Sequence, residues 1–358
     1  MRQWIWRLSP FVLVPLAWGL ARTEASAAWA FAAAALALVT LGVWIHGATE
    51  RLANRLGPVA GGLLNVVAGN GTELIITLFA LAAGMVGVVK ATLIGSMLSN
   101  VLLVMGLAMF LGGLRHPVQR FDSTLAATNA AELGLAVLAL ALPSLAARNG
   151  WGVDGREPVW LSTGVALVLL AVYVLSTVYT LKQDRRGPAG AGPFQERSRE
   201  PERAAKESLG REILVLLASA AATVLMSDVL IHTLEPAIHS LHLPRRLVGL
   251  VVVPLLGNAV EHATAIIEAR ANRMTLAYQI AVGSSTQIAL FVTPLLVLAG
   301  WGVRQEFTLV FHPLELLAAG LAVFIAVLIH LDSRSNWLEG VQLIAAYLIF
   351  VLAFYFTG

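Results

Sequence analysis

Apolar residues run along this chain in stretches too long and too unbroken for the one-sided helices of a soluble domain. Eleven such stretches stand out, at residues 4–21, 27–46, 58–83, 87–113, 124–147, 158–182, 209–233, 245–269, 276–301, 307–331 and 337–356. Each is close to the roughly 20 mainly apolar residues that a helix needs to cross a bilayer. The polar breaks between them are short, with one exception. Residues 183–208 are rich in Pro, Gly, Arg and Glu and show no apolar period, so they read as a flexible linker. The pattern predicts an all-α integral membrane protein with eleven transmembrane helices.

Composition agrees. The chain has 358 residues, 58% hydrophobic and 13% charged, against roughly 25% charged in a soluble domain. Too few charges remain to coat a soluble surface. Cysteine is absent, which excludes disulfides, thiolate metal sites and Cys nucleophiles together. At the N-terminus, Arg2 and Arg7 stand before an apolar stretch. A cleaved signal peptide is the alternative there, with Ala25-Ser26-Ala27-Ala28 as its cleavage site. A retained first span is preferred because it makes the charge topology consistent.

Lysine and arginine set that topology. With the linker in the cytoplasm, 17 of the 24 basic residues fall inside. In the short loops alone the inside still leads, 9 to 7. The N-terminus and central linker are therefore expected in the cytoplasm and the C-terminus outside.

Sliding the chain against itself by 188 residues superimposes Gly61 on Gly249, Gly69 on Gly257, Asn70 on Asn258 and Glu73 on Glu261. It also superimposes Gly95 on Gly283 and Ser96 on Ser284. These are the small and polar residues that membrane helices use for close packing and polar sites, not chance matches of Leu and Ala. The reading is a duplication: residues 1–26 form an N-terminal helix and connection, 27–182 a first five-helix repeat, 183–208 the linker, and 209–358 a second repeat. Five is odd, so the copies cross the bilayer in opposite directions, as in the inverted repeats of secondary transporters.

Each copy carries an Asn and a Glu three residues apart, hence on one helical face: Asn70 with Glu73, and Asn258 with Glu261. An acid at midspan costs about 2.5–3.5 kcal/mol even on the milder insertion scale. Two such acids at matched depth are poorly explained by packing. Facing each other, they would be neutralised either by protons or by a divalent cation, and that competition is itself an exchange mechanism. The ligands are oxygens, which suits a hard cation such as Ca2+. Gly69, Gly71 and Gly257 would let the helices unwind there, with Pro254 weakening the second, so that backbone carbonyls join the ion shell. An interhelical hydrogen-bond clamp is the competing role for Asn70 and Asn258. Ser96, Ser99, Asn100, Ser284 and Gln287 either support the carboxylates or simply pack two helices. His262 adjoins Glu261 and either takes part in proton coupling or packs its helix. Glu50, Asp228 and Glu235 lie at span ends, where gate roles compete with local pairing; Glu132 and Glu315 lie about two turns into their spans.

At these residues the sequence resembles the calcium/proton exchanger family, within the wider cation/calcium exchanger superfamily. The likeness runs through Gly61 to Ile75, Gly95 to Asn100, Pro254 to Thr264, Gly283 to Leu290 and Ser335 to Gly340. Gly71, where the family usually has Ala, and Asp228, where Glu is common, depart from its pattern. The resemblance implies eleven spans, Ca2+ export against inward protons, coordination by Glu73 and Glu261, and support from Asn70, Asn258 and the carbonyls near Gly69 and Gly257. Partners are then Ca2+, H+ and the lipid bilayer, with a homo-oligomer left open and no nucleic acid. No cofactor is implied, Ca2+ being the transported substrate. The compact chain fits a plasma (inner) membrane better than a vacuole. The rivals are a sodium/calcium exchanger, which would need further acidic or hydroxyl ligands where repeat two offers His262, and a cation channel. No His-Glu-x-x-His or Gly-x-Ser-x-Gly motif in a plausible context points to an enzyme.

Overall fold

The computed structural model describes residues 2–23, 27–149, 157–186, 209–242, 244–330 and 332–357. Most of the expected linker, residues 187–208, lies outside the described residues. The helices are α1 (Arg2–Ala21), α2 (Ala27–Gly69), α3 (Gly71–Ala82), α4 (Val86–Gly113), α5 (Ser123–Arg148), α6 (Glu157–Arg186) and α7 (Leu209–Leu241). They continue with α8 (Arg245–Gly257), α9 (Ala259–Arg270), α10 (Met274–Gly302), α11 (Pro313–His330) and α12 (Trp337–Thr357). Seven of the described helices are long and apolar enough to cross a membrane, or eight when α8 and α9 count as one span bent by 63°.

Helix α2 is not one straight rod. Gly61 lies so close to the Ala53 backbone that a Cβ there would overlap it. In a straight helix, residues eight apart are separated by about 12 Å. The chain must therefore fold back between them, giving one limb up to Leu56 and a second that runs on into α3. The expected spans at 27–46 and 58–83 correspond to these limbs, the second interrupted at Asn70.

The centre of the molecule is built from α4 and α10, the two helices most buried along their length. Small residues let neighbours approach them. The position of a Cβ on Gly95 is already filled by the Leu250 backbone, and Gly249 abuts Ala91 and the Val88 backbone. Gly106 and Gly340 make the matching contact between α4 and α12. Both central helices widen into a π turn at the end of their polar motif, at Ser99–Val104 in α4 and Ile288–Val292 in α10; α8 carries a third at Val248–Val252. Apolar helices surround this centre. Helix α2 packs along α7, and Arg51 of α2 donates to the buried Glu212 of α7 at 2.7 Å.

Two expectations need correction. The span at 307–331 begins only at Pro313. Proline opens that helix because its missing N–H is unpaired there anyway. Glu315 reaches back to accept the His312 N–H at 2.9 Å, so it caps a first turn and does not sit two turns deep. The span expected at 158–182 matches the apolar stretch Pro158–Thr180, within a helix that ends at Arg186. The fold also holds a two-stranded antiparallel ribbon, β1 (Gln119–Arg120) against β2 (Arg334–Ser335). Just after it, Asn336 caps α12 by accepting from the Leu338 and Glu339 amides, while Glu339 accepts from the Asn336 amide. The Ser335–Gly340 motif is thus a capping box followed by a close-packed glycine.

Candidate ion-binding site

Two helix breaks meet at the centre. Helix α2 ends at Gly69 and α3 begins at Gly71; α8 ends at Gly257 and α9 begins at Ala259. The residues between, Asn70 and Asn258, leave helical geometry with ψ of 9° and 12°. Each break points the carbonyl end of one half-helix and the amide end of the next at the same place. The carbonyl ends attract a cation. Glu73 and Glu261 stand in the first turns of α3 and α9, where the positive helix end favours a carboxylate.

The two breaks are interlocked. Gly69 faces the Glu261 carboxyl, with Oε1 3.2 Å from where a Cβ would lie, and Gly257 faces Glu73. Asn258 Nδ2 donates to Glu73 Oε2 at 3.4 Å. Asn70 Nδ2 donates to Gln287 Oε1 at 2.5 Å, and Asn70 Oδ1 accepts from the Ser284 hydroxyl at 3.3 Å. The Ser96 hydroxyl donates to Glu73, and the Ser284 hydroxyl donates to Glu261 at 3.0 Å. Each of those serines follows its glutamate by 23 residues. Asn258 Oδ1 is buried without a hydrogen-bond partner, a free acceptor beside a carboxylate.

Access differs between the acids. Glu73 is 1% exposed. Glu261 borders a cavity of about 90 Å³ lined also by Gly69, Ser284, Gln287, Gln279, His46 and Thr49. His46, Thr49 and Gln279 were not singled out from the sequence. Their signal was available: Gly42, His46 and Thr49 form a small and polar stripe at helical spacing in an otherwise apolar stretch.

The remaining candidates separate into groups. His262 Nε2 lies 2.7 Å from Asn100 Oδ1, so this pair ties α9 to the π turn of α4. The Ser99 hydroxyl bonds the Ser96 carbonyl of its own helix. Asp228 is exposed and pairs with His232 at 3.3 Å, and Glu235 pairs with Arg245 at 2.6 Å. Glu50 is exposed. Asp228 and Glu235 are thus engaged with local partners. Among the described residues no three His, Asp or Glu gather as a metal cluster. The donors at the breaks are two carboxylates with neutral oxygens around them, a set that fits a hard cation held reversibly.

The family of sodium/calcium exchanger proteins matches residues 26–182 and 211–356. The Ca(2+)/H(+) antiporter of Aphanothece halophytica is 41% identical over 334 residues, covering 91% of this chain and 90% of that protein. The Ca(2+)/H(+) antiporter of Synechocystis sp. is 42% identical over 337 residues, with 91% and 90% covered. The structure of native YfkE superimposes with a TM-score of 0.82 at 33% identity, covering 98% of this chain and 99% of that one. With its fold and nearly its whole length shared, this chain belongs to the sodium/calcium exchanger protein family, on its calcium/proton exchanger branch.

Proposed function

We propose that this chain is a secondary active antiporter that exports Ca2+ from the cytoplasm in exchange for protons by alternating access. Glu73 and Glu261 bind either Ca2+ or protons, with Asn70, Asn258 and the carbonyls at Gly69 and Gly257 completing the ion shell. The observation that carries this reading is the interlock of the two helix breaks, where each glutamate faces the other break's glycine. Two acids so placed repel one another when both are charged and bare. A divalent cation relieves the repulsion, and so do protons, but not both at once. The relatives named Ca(2+)/H(+) antiporter support the same pair of substrates.

The transport architecture follows from the repeat. Residues 27–182 and 209–358 are two inverted five-helix units, preceded by the N-terminal helix of residues 1–26 and joined by a cytoplasmic linker at 183–208. Eleven spans result when the folded-back α2 counts as two limbs, the second joined to α3, and the α8–α9 pair as one. The equal 23-residue step from glutamate to serine in both halves supports this duplication. The cavity at Glu261 is lined by His46 and Thr49 of the first limb of α2, toward Arg51, the side that this topology assigns to the cytoplasm. The protein sits in the plasma membrane with its C-terminus outside.

In proteoliposomes or everted vesicles, an imposed pH gradient should drive Ca2+ uptake, and a sodium gradient should not replace it. Uptake driven by sodium alone would instead favour sodium/calcium exchange. A reporter fused after Gly358 should be active only outside the cytoplasm; a cytoplasmic signal would refute the eleven-span topology.

A further inference from the structure

The cavity beside Glu261 is lined by two side chains whose oxygens have no other use. Thr49 is 3% exposed, and its Oγ1 is buried without a hydrogen-bond partner among the described residues. Threonines elsewhere in these helices, Thr77, Thr177 and Thr264 among them, donate back to a carbonyl one turn earlier. Thr49 makes no such bond. Gln279 Oε1 is likewise buried and unpaired. Its side chain lies along Gly283, with Nε2 3.0 Å from where a Cβ would lie, so the glycine makes room for it. Thr49 and Gln279 come from separate helices, α2 and α10, and line one cavity with Glu261. Leaving a buried acceptor unpaired is costly, so two at one cavity call for an occupant that brings positive charge or donors. The internal duplication sharpens the point. At the offset of 188, His46, Thr49 and Gln279 fall on Leu234, Ala237 and Ala91, all buried and apolar. The polar lining belongs to one end of the site and has no match at these positions of the other. Side chains that served only the packing of a duplicated scaffold would not need that difference.

We propose that Thr49 and Gln279, together with Glu261, form a second cation subsite, a waiting position for partly hydrated Ca2+ on the cytoplasmic side of the carboxylate pair. The inference rests on the Ca2+/proton exchange read above and deepens it. Ca2+ takes about six to eight oxygen ligands. A carboxylate, a hydroxyl and an amide oxygen supply up to about four, which leaves about two to four for water. A cavity of about 90 Å³ has room for those waters. The ion then trades water for protein oxygen in stages, first at a mouth with one charge and next between two. Glu261 serves both positions, so the ion keeps one anchor as it moves. The other ligands of the mouth are neutral, so the ion is held loosely enough to go on. An ion leaving on the opposite side meets Leu234, Ala237 and Ala91 at the matching positions, which offer no such stop.

The test uses the full-length protein in everted vesicles, whose outer solution bathes the cytoplasmic face. Initial rates of pH-driven Ca2+ uptake are read against Ca2+ concentration. Thr49→Val keeps the shape and removes the oxygen. It should raise KM on the order of 10-fold, the size expected for one lost contact to a charged partner. Its kcat should stay unchanged, because capture of the ion weakens while the carboxylate pair is intact. Gln279→Leu should show the same split, and it carries the test if Thr49→Val does not fold. Thr49→Ser returns the oxygen and should return KM to the wild-type value. Unchanged KM in both folded variants would leave the cavity to water alone and overturn the proposal. A fall in kcat in place of the rise in KM would make the two residues structural and overturn it too, as would a Thr49→Ser protein as impaired as Thr49→Val. Absence of pH-driven uptake in the wild type would overturn the exchange reading itself, and this inference with it.

Discussion

Replacing Glu73 with Gln should abolish proton-driven Ca2+ uptake, and Glu261→Gln should do the same, with each protein still folded. Gln keeps the shape and an oxygen that can accept from Ser96 or Ser284, so the hydrogen bonds of the interlock largely survive. What disappears is one negative charge facing a divalent ion. At an effective dielectric constant near 20, a unit pair at about 4 Å is worth about 4 kcal/mol, and the charge on Ca2+ doubles that. Partial compensation still leaves a loss well beyond about 100-fold in Ca2+ binding. The same change removes a titrating proton site, so neither half of the exchange remains. Stability should move the other way for Glu73, which is almost wholly buried. Neutralising a buried acid removes a desolvation cost, so the melting temperature of Glu73→Gln should equal or exceed that of the wild type. Tracer flux paired with thermal melting in detergent reads both effects. Near-normal flux in either variant would show that the paired carboxylates are not the ion site.

Gly95→Ala should have the largest effect among small substitutions. The added methyl has no room, because the Leu250 carbonyl already occupies its place. That neighbour is backbone in a π turn, not the far end of a flexible side chain, so α4 and α8 must separate. Overpacking of this kind costs roughly 1–3 kcal/mol. Function should fall further than stability, since Ser96, the next residue, holds the Glu73 carboxyl. Gly87→Ala supplies the control: nothing lies within 4 Å of its new methyl, and alanine is the better helix former. A melting temperature lowered for Gly95→Ala but not for Gly87→Ala is expected. Equal melting temperatures would mean that α4 and α8 do not depend on this contact.

Much of the site was legible in the chain because its parts repeat. An apolar background makes Asn70, Glu73, Asn258 and Glu261 conspicuous, and the constant offset of 188 ties them together. The glycines beside them foretold the breaks. Sequence alone does not say who bonds whom across that offset. Asn258 turns to Glu73, while Asn70 turns to Gln287 and Ser284, and these are contacts between residues more than 180 positions apart. Asn100 illustrates the limit. Its place in a motif grouped it with the carboxylates, yet it lies within the π turn and meets His262 instead. Glu315 shows a different failure. Hydropathy counted Phe307 to Phe311 as membrane, whereas His312-Pro313 followed by an acid was a helix start that local chemistry could have revealed.

The widened turns in α4 and α10 have a mechanical meaning. A π turn takes up one extra residue, so the helix beyond it is rotated by about 100° relative to a regular continuation. Each of these spans is in effect two rods on a swivel, a polar rod carrying Ser96 or Ser284 and an apolar rod embedded among its neighbours. Shifting the swivel by one residue would revolve one rod against the other while every peptide group keeps a partner. Where water cannot step in for a broken backbone bond, such a joint lets the polar rods reorient without unfolding either helix.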